Sequence, residues 1–161
     1  MLRYLAFGAA TLVTATGWIL ALPPAPVRQP LAFNHAAHAQ TACATCHRGA
    51  ESSVRAGIPQ GDVCVKCHAT APRAGGAAEL WPAITRGDRV AWTRVNHLPD
   101  HVLFSHRRHV TLGRLDCASC HGDMRHQAAP VGVAATRLNM QTCLPCHQHE
   151  SASEDCAACH R

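Results

Sequence analysis

The chain has 161 residues, 47 % nominally hydrophobic but only 4 % aromatic, with 13 histidines, 10 cysteines and a formal net charge of +5. Alanine supplies much of the apolar fraction. Beyond the N-terminal segment only about a fifth of the residues are large and apolar, close to the level at which a chain struggles to bury a core of its own. The positive charge does not point to nucleic acid, because there is no basic run and almost no aromatic side chain on which a base could stack. Asp62, Asp88, Asp100 and Asp116 read as turn or helix-cap positions and form no paired carboxylates for acid–base catalysis.

The first element in chain order is Tyr4 to Leu22, 19 residues without a charge. As a helix it would rise about 28 Å, close to the hydrocarbon thickness of a bilayer. Arg3 and the α-amino group precede it, which places residues 1–3 in the cytoplasm and the remainder outside. A cleaved signal peptide is the competing reading, but its apolar region is usually shorter, and no small-x-small site is obvious before Pro23, Pro24 and Pro26. Residues 1–24 therefore read as a single-span anchor in a bacterial inner membrane. Residues 25–31, rich in proline, read as a stiff extended linker, and 32–161 as one periplasmic domain.

Phe33-Asn-His35-Ala-Ala-His38 follows, and Phe104-Ser-His106-Arg-Arg-His109 repeats its pattern. Spacing of three puts both imidazoles of a pair on one side of a helical turn, offset along it, so that they can reach two different metal centres. Each pair is followed by Cys-x-x-Cys-His. This motif occurs five times and consumes every cysteine: Cys43, Cys46 and His47; Cys64, Cys67 and His68; Cys117, Cys120 and His121; Cys143, Cys146 and His147; Cys156, Cys159 and His160.

Each motif reads as a covalent haem c site, because two cysteines three apart can form thioethers to one porphyrin edge while the adjacent histidine becomes the proximal iron ligand. Zinc knuckles, dithiol redox sites and disulfides also use Cys-x-x-Cys, but none needs the following histidine. Five covalent haems would supply most of the hydrophobic core, leaving the apo chain largely unfolded. Their propionates, about −10 in all, against about +1 per ferric iron would bring the oxidised holoprotein near neutrality. Lys66 is the one lysine among 15 basic residues, and arginine suits pairing with carboxylates.

The stretch 71–103 separates a two-haem half, 32–70, from a three-haem half, 104–161. It contains Pro72, Gly75, Gly76 and Pro82, then Val90–Val95, which reads as a short hairpin arm. Trp81 and Trp92 read as packing on haem edges. Short helices are expected around each haem motif and each His-x-x-His staple, in an otherwise irregular fold.

Eight histidines remain after the five proximal ones. Electron transfer without binding of exogenous molecules requires a sixth ligand on each iron, and His35, His38, His106 and His109 are the expected distal ligands. The fifth is open among His97, His101, His126 and His149, with Met124 and Met140 as thioether options. His126 and Met140 stand out because both lie between the third and fourth motifs, where no staple is available.

The pattern resembles the class III multihaem cytochromes of the c3 and c7 type. Trp92–Val95, Leu98–Val110, Cys117–Gly122 and Leu138–Cys143 resemble more closely the membrane-anchored pentahaem subunit of alternative complex III and its stand-alone relatives. That resemblance implies a mostly irregular, small-helical fold around five bis-histidine haems. It also implies that the first histidine of each staple serves the haem that follows and the second serves another. Thr142 stands where related chains often carry tryptophan, and Asn96-His97 departs from the expected histidine placement.

Two function classes follow. One is an electron-transfer protein, not itself an enzyme, linking a membrane-bound quinol-oxidising or other redox subunit to a periplasmic acceptor. The other is a small nitrite, hydroxylamine or sulfur-oxyanion reductase, or an intrinsic quinol dehydrogenase. A reductase needs an iron with an open distal position; the abundance of histidine favours electron transfer.

Overall fold

The computed structural model describes Tyr4 and residues 25–72 and 76–161. The expected anchor, apart from Tyr4, lies outside the described residues. Among those residues no helix is long and apolar enough to cross a membrane.

Regular structure is sparse and clings to the cysteine motifs. Four helices are single turns: α1 (Cys43–Cys46), α2 (Gly61–Cys64), α4 (Ala118–His121) and α6 (Cys156–Cys159). Two have ten residues, α3 (Ala77–Arg86) and α5 (Met140–His149). Turns this short cannot stand alone in water, since nucleation costs more than one or two hydrogen bonds return. The staples are also helical but not α: Ala36–His38 is a 3-10 turn and Arg107–Leu112 a π-helix. A third short turn, the 3-10 segment Met124–His126, packs on the first staple.

The side-chain core is small. Leu31, Ala77 and Ile84 are buried together, with Leu80, Trp81, Val90 and Trp92 packed around them, and Ala50 is buried separately. Among the described residues no polar or charged residue is buried as a whole. Val54, Leu112 and Leu103 instead expose 60 %, 62 % and 46 % of their surface around the second staple, apolar area that the polypeptide itself leaves uncovered.

Two expectations about the connecting segment are corrected. The stretch 71–103 contains helix α3, which the glycines and Pro82 obscured. Pro82 removes one helical hydrogen bond, but Trp81 and Ile84 face the core and Gly87, at φ 86°, ends the helix, its N–H donating to Ile84 O at 3.1 Å. Val90–Val95 forms no hairpin, because its backbone donors go to side chains: Val90 N–H to Gln60 Oε1 at 2.9 Å and Thr93 N–H to Gln29 Oε1 at 3.1 Å. Nor does the 25–31 segment stand clear of the domain. Val27 N–H donates to Gly132 O at 2.8 Å, Gln29 Nε2 donates to the carbonyls of Thr93 and Val131, and Leu31 is core.

Helix α2, which delivers Cys64, meets α3 through Gly61. A Cβ there would lie 2.8 Å from Ile84 Cγ2 and 2.9 Å from Ile84 O, so the backbones approach as only glycine permits. Gly61→Ala should destabilise the holoprotein by about 1–3 kcal/mol, seen as a lowered thermal midpoint that starts with loss of the absorption contributed by the second motif.

Candidate haem-binding sites

In four motifs the histidine N–H closes one turn onto the carbonyl of the first cysteine: His47 to Cys43 and His160 to Cys156 at 2.8 Å, His68 to Cys64 and His121 to Cys117 at 3.0 Å. One turn thus carries two thiols and an imidazole. The motif centred on Cys143 is carried on the longer α5, whose start is fixed by reciprocal capping: Asn139 Oδ1 accepts from Thr142 N–H at 3.1 Å while Thr142 Oγ1 accepts from Asn139 N–H at 3.3 Å. The hydroxyl that departs from the family pattern therefore has a local role.

All ten cysteines are unbridged. Among the described residues no group of three or more His, Cys, Asp or Glu side chains converges to hold a metal ion. The arrangement therefore gives no support to the zinc-knuckle or disulfide alternatives. Burial pushes the Cys46, Cys64, Cys117, Cys120 and Cys143 thiols up, as expected of sulfurs facing an apolar slot.

The two staples are near-copies. Phe33 meets His35 edge-on at 4.8 Å and lies along His38 at 4.7 Å; Phe104 does the same to His106 at 4.9 Å and His109 at 4.5 Å. His38 Nδ1 is 2.9 Å from Asn34 O, and His109 Nδ1 is 2.9 Å from Ser105 O. The phenylalanine holds the two imidazoles apart, and the carbonyl four residues back fixes the second ring.

Each staple histidine then faces a motif histidine. Ring centroids are 6.1 Å apart for His38 and His68, 6.3 Å for His106 and His121, and 6.1 Å for His109 and His147. Two imidazoles bound on opposite sides of one metal ion, with bonds of about 2.0 Å and a centroid about 1.1 Å beyond each nitrogen, have centroids about 6.2 Å apart. His35 is held below the ordinary histidine range by burial first and then by the nearby His47 and His38, which sets it beside the motif that follows it.

A further pair involves one of the four histidines left open. His101 faces His160 at 5.5 Å with the rings 27° from parallel. An isolated bridge between Val102 and His160 brings them together, with Leu103 N–H donating to Cys159 O at 2.8 Å and Arg161 N–H to His101 O at 3.1 Å. The residues singled out between the third and fourth motifs point elsewhere. His126, with an 85 % exposed side chain, has Nδ1 2.6 Å from Asp123 Oδ2, and Met140 is 55 % exposed. His149 pairs with Glu150 at 2.9 Å, and His97 Nε2 lies 3.2 Å from Arg94 O. The contact joining residues 101–103 to 159–161 crosses most of a half-domain, so no local spacing announced it.

Backbone carbonyls hold the Nδ1 side of several rings. Besides His38 and His109, His47 Nδ1 lies 2.8 Å from Gly57 O, His106 Nδ1 3.1 Å from Val54 O and His147 Nδ1 2.6 Å from Ser153 O. A carbonyl can only accept, so these rings carry hydrogen on Nδ1, and Nε2 is the nitrogen left to meet a metal. Burial, then His106 and His47, hold His121 below the ordinary histidine range. These residues fit haem c: thiols in pairs, imidazoles fixed through Nδ1, and ring pairs spaced for one iron between them.

Comparison with known proteins agrees. The class III cytochrome C family matches residues 20–91, and the family of cytochrome c7 and related cytochrome c matches residues 102–161. The chain belongs to the class III and c7-like multihaem cytochromes. Covalently bound haem c and electron transfer come with these families. The cytochrome is 27 % identical, over 161 residues, to the menaquinone reductase multiheme cytochrome c subunit of Nitratidesulfovibrio vulgaris; the match covers 83 % of this chain and 77 % of that one.

Proposed function

We propose that this cytochrome carries five bis-histidine haems c and passes electrons from a quinol-oxidising membrane partner to a periplasmic acceptor. The observation that carries this reading is that four of the five motif histidines have a second histidine ring 5.5–6.3 Å away, and His35 is the staple histidine left for the fifth, His47. The distal ligands are then His35, His38, His106, His109 and, in place of His126 or Met140, His101. The two-haem half, the arm and the three-haem half act as one domain, since the staples bind across it.

Bound haem c supplies one-electron chemistry in which iron alternates between ferric and ferrous and no atom is transferred. The residues of the chain do the rest. The paired cysteines would hold each group in place, the two imidazoles would ligate its iron, and the Nδ1 carbonyl bonds would keep those rings aligned. With both faces taken, no iron offers a position for nitrite, hydroxylamine or a sulfur oxyanion, which disfavours the reductase reading. The resemblance to a subunit of a menaquinone reductase supports a redox partner in the membrane. Anchoring by the uncharged stretch from Tyr4 to Leu22 keeps the haem domain on the periplasmic side of the inner membrane.

A pyridine haemochrome assay should give five haems per chain, and carbon monoxide should leave the reduced spectrum unchanged; fewer than five haems, or a spectral shift on adding carbon monoxide, overturns the reading. His101→Ala should convert one haem to a high-spin signal in electron paramagnetic resonance, whereas His126→Ala should leave all signals low-spin. N-terminal sequencing of protein extracted from membranes should find the segment before Pro23 retained; a mature chain beginning near Ala25 or Val27 would instead mean a soluble shuttle.

A further inference from the structure

We propose that the five sites form a single relay in the spatial order second, first, third, fourth, fifth motif, so that the motif ending in His68, not the one ending in His47, is the end of the relay nearest the N-terminal segment. This rests on the haem reading above and adds to it where electrons enter, cross and leave.

Each link has its own contacts. The first staple, one turn that stands just ahead of the first motif in the chain, reaches the second motif, His38 lying 6.1 Å from His68. Arg48, next to His47, pairs with Asp62, next to the second motif, at 2.9 Å. The second staple joins the third motif to the fourth in the same manner, through His106 to His121 at 6.3 Å and His109 to His147 at 6.1 Å.

The crossing between halves runs from the first motif to the third. The loop after His47 receives the second staple: Ser53 O accepts from Arg107 N–H at 3.0 Å, Val54 O from His106 N–H at 3.1 Å, and Glu51 O from the Thr111 hydroxyl at 2.6 Å. In the other direction the turn after the third motif receives the first staple, with Ala36 N–H donating to Gln127 O at 3.1 Å and Arg125 donating to Ala39 O. The fourth motif then passes to the fifth: Ala152 N–H donates to His147 O at 2.8 Å, and His147 Nδ1 meets Ser153 O at 2.6 Å.

The ends differ in surroundings. His68 stands 6.4 Å from Trp81 on α3, whose helix packs on Leu31 of the segment leading in from the N-terminus. Both end motifs expose part of the Cys-x-x-Cys turn, Val65, Lys66 and Cys67 in the second and Cys156, Ala157 and Ala158 in the fifth, so either end can meet a partner. An electron entering at the end nearer Leu31 would meet the second motif, and would have to pass the first to reach the other three.

The test uses full-length holoprotein in which one distal histidine at a time is replaced, giving a fast-relaxing high-spin iron that broadens the paramagnetic nuclear resonance lines of adjacent haems. His38→Ala should broaden the lines of one haem, the one altered in His35→Ala. His35→Ala should broaden two, those altered in His38→Ala and His106→Ala. His101→Ala should broaden one, that of the fourth motif. Broadening of the third-motif haem by His38→Ala, or of only one haem by His35→Ala, overturns the order. Where an alanine variant yields too little protein, methionine at the same position keeps the iron six-coordinate. Its raised potential then identifies the same neighbours through their shifted midpoints in a redox titration. A haem count below five in the parent protein would fail the haem reading itself, while five haems with other neighbours would fail the order alone.

Discussion

Two imidazoles sharing one iron would stand with their centroids about 6 Å apart, and four histidine pairs in this fold stand at 5.5–6.3 Å. The consequence is non-local. Four motif histidines end or follow a single helical turn with little stability of its own, His147 lies on the ten-residue α5, and the ring opposite comes from a staple or loop elsewhere in the chain. His101 and His160 are 59 residues apart in sequence yet meet at 5.5 Å. On the ligand reading proposed above, each such pair would act as a cross-link through the cofactor, which would let a chain with four buried apolar residues among those described hold one arrangement. The exposed surfaces of Val54, Leu103 and Leu112 would then be the polypeptide's half of a packing contact with porphyrin.

What was legible in the sequence followed from how local each feature is. Cys-x-x-Cys-His needs one turn of backbone, and Phe-x-His-x-x-His needs two. Both could be read from spacing, and the structure gives the staples matching geometry to within a few tenths of an ångström. His101 was one of four remaining histidines because nothing within a few residues of it distinguishes it. It is set by a bridge to a segment after Cys159. Attention went instead to His126 and Met140, which share a sequence interval with the missing ligand but whose side chains face Asp123 and solvent.

The connecting segment was misread for a different reason. Pro82 and a run of glycines argued against a helix, and β-branched residues around Trp92 argued for a hairpin. Both are weak local preferences. Burial of Ile84 against Leu31 outweighs one lost hydrogen bond in α3, while Gln29 and Gln60 take the backbone donors that a hairpin would have paired. Two glutamines acting as surrogate strand partners leave no pattern in the sequence. Their effect is to fasten the N-terminal segment and the second motif to one side of the domain.

Two staples of nearly identical geometry nevertheless give their metal centres different environments. The second histidine of each, His38 or His109, donates to a carbonyl four residues back, a bond that travels with the repeat itself. The first does not: His106 Nδ1 reaches Val54 O across the domain, whereas His35 Nδ1 is buried without a partner. An imidazole whose Nδ1–H is bound to a carbonyl is the more basic ligand and favours ferric iron, so the ring lacking that bond is the weaker donor. Repetition supplied the coordination geometry, and the unlike surroundings of His35 and His106 make the sites inequivalent. On the ligand reading proposed above, that inequivalence would separate the potentials of the two sites even though both would have the same two ligand types.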